Sequence, residues 1–164
     1  MNGMEARVEH RNIVTDTRPA ADIDPRTFNI SPTAVESMLA SPELAGRVKA
    51  LIPVHLFGQM ADMEAICKLA RAHKLLVIED CAQSIGAEFQ GKQCGSWGDY
   101  GAFSFYPTKN LGAAGDAGMV TAADEKKAEL MHMVRVHGSK QRYYHELIGA
   151  NSRLDSIQAA ILRV

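Results

Sequence analysis

The chain has 164 residues, enough for the core of one domain, and its 18 Lys plus Arg against 19 Asp plus Glu leave a net charge of −1. No stretch concentrates one sign of charge, which argues against a nucleic-acid track or a membrane-surface patch and favours a small, locally charged ligand. No apolar run approaches the length that spans a bilayer, Met1 to Asp16 lacks the apolar stretch of a secretory signal, and Cys67, Cys81 and Cys94 outline neither a disulfide framework nor a C-x-x-C site, so a cytoplasmic, reducing setting is expected.

Up to about Thr17 no period emerges, and that stretch is assigned to no element. Ser31 as cap and Pro32 at the first helical position predict a short helix with Val35, Met38 and Leu39 on one face. Residues 48–54 form a mostly apolar run of strand length, followed by a break over residues 55–59 that contains Gly58. Asp62 then opens a helix whose Met63, Ile66, Cys67 and Ala70 fall at i, i+3, i+4 and i+7. Residues 75–78 are continuously apolar, so strand, helix and strand predict a right-handed βαβ unit with both strands covered on their two faces. Residues 100–105 and 118–122 predict two more strands, and Asp124 caps a helix carrying Leu130, Met131 and Val134. A last helix is expected from near Leu154, with Leu154, Ile157, Ile161 and Val164 on one face, cut short by the end of the sequence. The predicted class is α/β, a mostly parallel sheet with flanking helices.

Ligands of such sheets bind beyond the carboxyl ends of the strands. Three of those ends are polar: Glu79-Asp80-Cys81-Ala82-Gln83, Tyr106-Pro107-Thr108-Lys109-Asn110, and His55. A carboxylate and a lysine at neighbouring strand ends are the pair that pyridoxal phosphate needs: the amine condenses with the cofactor aldehyde, and the carboxylate keeps the pyridine nitrogen protonated. Asp80 and Lys109 are of the required types, although on spacing alone a plain salt bridge or two unrelated surface charges fits better. Gly112, Gly115 and Gly118 do not follow G-x-G-x-x-G and predict a flexible turn after Lys109. The segment 140–145 mixes cations with aromatics, suited to a nucleotide diphosphate, a neighbouring subunit or plain solvent. His55 is left outside the catalytic set as a structural strand-end histidine, and Arg153 either binds a carboxylate or phosphate or pins the last helix.

Four motifs occur in order: Val54-His55-Leu56-Phe57-Gly58-Gln59, Val77-Ile78-Glu79-Asp80-Cys81-Ala82-Gln83, Phe103-Ser104-Phe105-Tyr106-Pro107-Thr108-Lys109-Asn110-Leu111-Gly112, and Asn151-Ser152-Arg153-Leu154-Asp155. Together they resemble the DegT/DnrJ/StrS family of sugar aminotransferases from roughly Asp22 to Val164. The resemblance implies a fold-type I, pyridoxal-phosphate-dependent enzyme that moves an amino group, usually from glutamate, to a keto group on a nucleotide-linked sugar. Lys109 would carry the internal aldimine and act as acid and base, and Asp80 would pair with the pyridinium nitrogen. Gln83 would lie against the ring or its hydroxyl, and Ser104 would bond the phosphate. Asn151 would reach the phosphate side of the site in a partner subunit, which makes a homodimer with a shared site.

The sequence departs from the family in two respects. The glycine-and-serine or threonine turn that holds the cofactor phosphate at a helix N-terminus is not found, and the smaller C-terminal domain does not follow. A partial large domain that binds the cofactor weakly is therefore expected, and a non-catalytic remnant that keeps the fold is the competing reading. A sugar dehydratase on the same scaffold replaces the lysine by histidine, and Lys109 argues against it.

Overall fold

A computed structural model describes residues 21–44 and 46–163; the unassigned stretch to Thr17 and Val164 lie outside them. The elements in chain order are α1 (Pro32–Ala40), β1 (Ala50–Leu51), a 3-10 turn (Leu56–Gly58), α2 (Met63–His73), β2 (Leu76–Asp80), β3 (Glu88–Phe89), β4 (Lys92–Gln93), β5 (Tyr100–Ser104), β6 (Gly118–Ala122), α3 (Glu125–Val134), β7 (Ser139–Gln141), β8 (Tyr144–His145) and α4 (Ser156–Ile161). The main sheet runs β1-β2-β5-β6, with β1, β2 and β5 parallel and β6 antiparallel to β5. The predicted mostly parallel α/β sheet is present. Among the described residues, no helix is long and apolar enough to cross a membrane.

The helix starts follow from their caps. The Ser31 hydroxyl accepts from the Ala34 N–H at the head of α1, and Asp62, Asp124 and Asp155 accept in the same way for α2, α3 and α4. Asp62→Ala is expected to lower the unfolding free energy by about 1 kcal/mol, read by urea denaturation, because α2 loses its cap. The apolar stripe of α2 is buried, with Met63 and Ile66 at 0 % exposure, and packs on Leu51 and Val77 in one cluster. The left-handed Lys74 ends the helix, where its N–H reaches Ala70 and Arg71.

Three expectations are corrected. The first strand run breaks after Leu51, because Pro53 has no N–H for the ladder; pairing resumes at an isolated Val54–Asp80 bridge, and the Pro53 carbonyl accepts from the Asp80 N–H at 2.9 Å. Only one face of β2 is covered among the described residues: Val77 and Glu79 are buried, while Ile78 and Asp80 are half-buried and Leu76 is exposed. The last helix starts at Ser156, two residues past Leu154, and its Ile157 is 73 % exposed, so its expected apolar face is not covered by the described residues.

Candidate active site

Asp80 ends β2 and pairs in register with Ala102 of β5. Ser104, two residues further along β5, lies about 7 Å beyond that level at the sheet's rise of about 3.3 Å per residue. By alternation, Asp80, Ala102 and Ser104 face one side of the sheet, and Val77, Glu79, Gly101 and Phe103 face the other, toward α2. Lys109 stands in the turn that follows β5, its N–H bonded to the Tyr106 carbonyl at 2.8 Å. Asp80, Ser104 and Lys109 therefore belong to one carboxyl edge, and all three are half-buried.

Their free valences matter for chemistry. The Asp80 carboxylate accepts from the Ala82 N–H through Oδ1 at 3.0 Å, leaving Oδ2 open. The Ser104 hydroxyl accepts from the Tyr106 N–H at 3.3 Å, which leaves its own proton to give. The Lys109 amine has no ion pair or hydrogen bond to another described residue, so the plain Asp80–Lys109 salt bridge compatible with the spacing is not formed.

Gln83 sits in the loop after β2 and accepts from the Phe57 N–H through Oε1 at 3.3 Å. It thereby ties the turn of residues 56–58 to the site edge and keeps its amide N–H groups available. That turn is held from its far side by the buried Asn29, which accepts from the Leu56 N–H at 2.8 Å and donates to the Gln59 carbonyl at 2.9 Å. Phe57 is 78 % exposed with φ of 56°, a left-handed conformation that an aromatic residue adopts only when its neighbours hold it.

His55 is held by protein partners at both ring nitrogens. It is fully buried, its Nε2 lies 3.0 Å from Glu79 Oε2, and its Nδ1 accepts from the Ala61 N–H at 3.2 Å. Glu79, which the sequence reading passed over, also takes the N–H groups of Gly95, Trp97 and Gly98. Burial alone raises the Glu79 pKa, but the bonds from His55, Gly98, Gly95 and Trp97 outweigh it and hold the carboxyl below the usual range. His55, Glu79 and Cys81 come close enough to suggest a cation site. The Glu79 oxygens and the His55 nitrogens are, however, already committed to protein partners, and the Cys81 sulfur donates to the Glu79 carbonyl at 3.8 Å.

Asn151 is not brought to this edge by the strands that carry the other four. It is exposed, follows the β7–β8 hairpin, bridges to Val136, and accepts from Arg153 Nε at 3.1 Å. Arg153 thus supports Asn151. The segment 140–145 lies in a bulged hairpin, with the Lys140 amine on Glu129 and the Arg142 guanidinium over the Tyr143 ring. The turn after Lys109, expected to be flexible, is tied down: Ala113 N–H bonds the Phe105 carbonyl at 2.8 Å, and Gln158 of α4 accepts from Ala114 at 2.9 Å. Gly112 is required there, since a Cβ would stand 2.6 Å from the Pro107 carbonyl oxygen.

Known proteins share this fold and much of its sequence. The chain is 56% identical over 143 residues to the pleiotropic regulatory protein of Geobacillus stearothermophilus, a match covering 87% of this chain and 37% of that protein. It is 51% identical over 142 residues to the UDP-N-acetyl-3-dehydro-alpha-D-glucosamine 3-aminotransferase of Acidithiobacillus ferrooxidans, again over 87% of this chain and 37% of that protein. It superposes on the crystal structure of a DegT/DnrJ/EryC1/StrS aminotransferase from Brucella abortus with a TM-score of 0.83 at 41% identity, covering 87% of this chain and 39% of that one. The chain thus spans 37% of the length of these curated relatives. With the family's sequence pattern matching residues 14–164 and its fold shared, the chain belongs to the DegT/DnrJ/EryC1/StrS aminotransferase family.

Proposed function

We propose that the chain carries the central part of a pyridoxal-phosphate-dependent enzyme that transfers an amino group, with glutamate as donor, to a keto-sugar nucleotide. The observation that carries this reading is the shared edge of Asp80, Ser104 and Lys109, each with an unused valence of the kind the cofactor needs. Support comes from a relative named as an aminotransferase of a UDP-linked sugar and from the family's dependence on this cofactor.

The side chains fit the cofactor chemically. Lys109 Nζ would hold it covalently and then carry the proton to and from the reacting carbon. Asp80 Oδ2 would accept from the pyridine N–H, and the Ser104 hydroxyl would donate to the phosphate. The Gln83 amide would lie beside the ring, its carbonyl already occupied by Phe57. When bound, pyridoxal phosphate supplies a ring that accepts the electron pair left when that carbon loses its proton. Asn151 would serve the phosphate side of a partner subunit's site, which makes the working enzyme a homodimer, placed in the cytoplasm.

Adding pyridoxal phosphate to the purified chain is expected to raise an absorbance band at the visible edge, removable by borohydride reduction. Lys109→Ala abolishes that band completely. A band that survives the substitution, or its absence from the unsubstituted chain, overturns the reading.

A further inference from the structure

We propose that Glu79, acting through His55, is a positioning residue for Asp80; this rests on the aminotransferase reading above. Glu79 and Asp80 are neighbours on β2 and face opposite sides of the sheet, Glu79 at 0 % exposure under α2 and Asp80 at the open edge. The Glu79 carboxylate gathers four donors: His55 Nε2 at 3.0 Å, Gly95 N at 2.9 Å, and Trp97 N and Gly98 N at 2.7 Å each. One anion thus joins the segment after β1, its own strand, and the loop that feeds β5.

His55 closes the connection to Asp80. Its side chain bonds Glu79, and its backbone N–H donates to the Asp80 carbonyl at 3.0 Å, while the Asp80 N–H donates to Pro53 at 2.9 Å. Glu79 side chain, His55 side chain, His55 N–H and Asp80 carbonyl form a closed ring that sets the Asp80 peptide. Little slack exists around it. A Cβ on Gly95 would stand 2.6 Å from the Phe103 ring, and one on Gly101 would stand 2.5 Å from the Gly95 Cα, so the loop lies flat on β5. Beyond this backbone setting, among the described residues only the Ala82 N–H holds the Asp80 carboxylate.

The clamp requires a carboxylate. Since the Ala61 N–H donates to His55 Nδ1, the ring proton sits on Nε2 and points at Glu79. All four partners are donors, so an amide at position 79 turns its NH2 either toward Trp97 and Gly98 or toward Gly95 and His55. Neither orientation satisfies the set.

The test titrates pyridoxal phosphate into Glu79→Gln, His55→Leu, His55→Gln and Met133→Ala chains, reading the absorbance band at a temperature where circular dichroism shows each folded. Met133 is a buried residue of α3 outside the ring, so its truncation controls for loss of stability alone. About tenfold or greater loss of affinity is expected in Glu79→Gln and His55→Leu, since small misplacements of a reacting group carry costs of that order. Partial recovery is expected in His55→Gln, which keeps a donor for Glu79 and an acceptor for Ala61, and Met133→Ala is expected to match the unsubstituted chain. Titrations of Glu79→Gln and His55→Leu equal to the unsubstituted chain, or an equal loss in Met133→Ala, overturn the inference. If neither of the first two folds, His55→Gln decides it: a few-fold loss supports the role and an unchanged titration removes it. No band in the unsubstituted chain removes the aminotransferase reading and this inference together.

Discussion

Glu79→Gln is expected to lower the unfolding free energy by about 3 kcal/mol at neutral pH, although side-chain volume hardly changes. Urea denaturation followed by circular dichroism measures it. The loss arises because a fully buried anion served only by donors is replaced by a group that brings two N–H bonds of its own. The pH dependence separates this from generic core damage. Burial pushes the Glu79 pKa up, the His55 and backbone bonds pull it down further, and the net folded value is depressed. A depressed carboxyl contributes its stabilisation in full above the ordinary glutamate pKa of about 4.3, and loses it as pH falls through the folded value. The gap between the two chains is therefore expected to be widest at neutral pH and to narrow as pH falls below the ordinary glutamate value of about 4.3. Equal stability at neutral pH, or a gap that ignores pH, contradicts the clamp.

The same residue shows where sequence reading reached its limit. Helix α2 was legible because its period leaves one solution: Met63, Ile66, Cys67 and Ala70 are all buried. The caps at Ser31, Asp62 and Asp124 announce themselves by residue type and position. Strand β2 was legible as a strand but not by face, since the unbroken apolar run of residues 75–78 carries no alternation from which to assign Glu79 and Asp80 to opposite sides. Asn29 was hidden for another reason: its bonds reach Leu56 and Gln59, some thirty residues away, and no local pattern records a long-range clamp. The motif around Lys109 gave residue identities at the site, whereas the free valences of Asp80, Ser104 and Gln83 became visible only from their neighbours.

Gly138→Ala is expected to unseat the β7–β8 hairpin at a local cost of about 3 kcal/mol or more, while the α2–β2 core stays intact. Gly138 has φ of 75°, where a side chain is already strained, and a Cβ there would lie 1.7 Å from the Leu147 carbonyl oxygen. Gly149 crosses at the same point, with its own Cβ position 2.3 Å from Gly138 N, so backbone meets backbone and neither side can yield. Around this crossing, Gly138 N–H bonds Met133, Ala150 N–H bonds Val134, and Ser152 N–H bonds Arg135, which fixes Asn151 to the end of α3. The central apolar cluster, from Val35 to Cys94, contains no residue of this crossing. Hydrogen exchange is therefore expected to show lost protection over residues 136–152 with α2 and β2 amides unchanged, and limited proteolysis to cut within the same span. Uniform loss of protection across the chain would instead mean that the hairpin and the sheet unfold as one unit. Under the proposed homodimer, in which Asn151 serves the partner's site, the local outcome predicts a further consequence: the substitution impairs that site while leaving Asp80, Ser104 and Lys109 of its own chain in place.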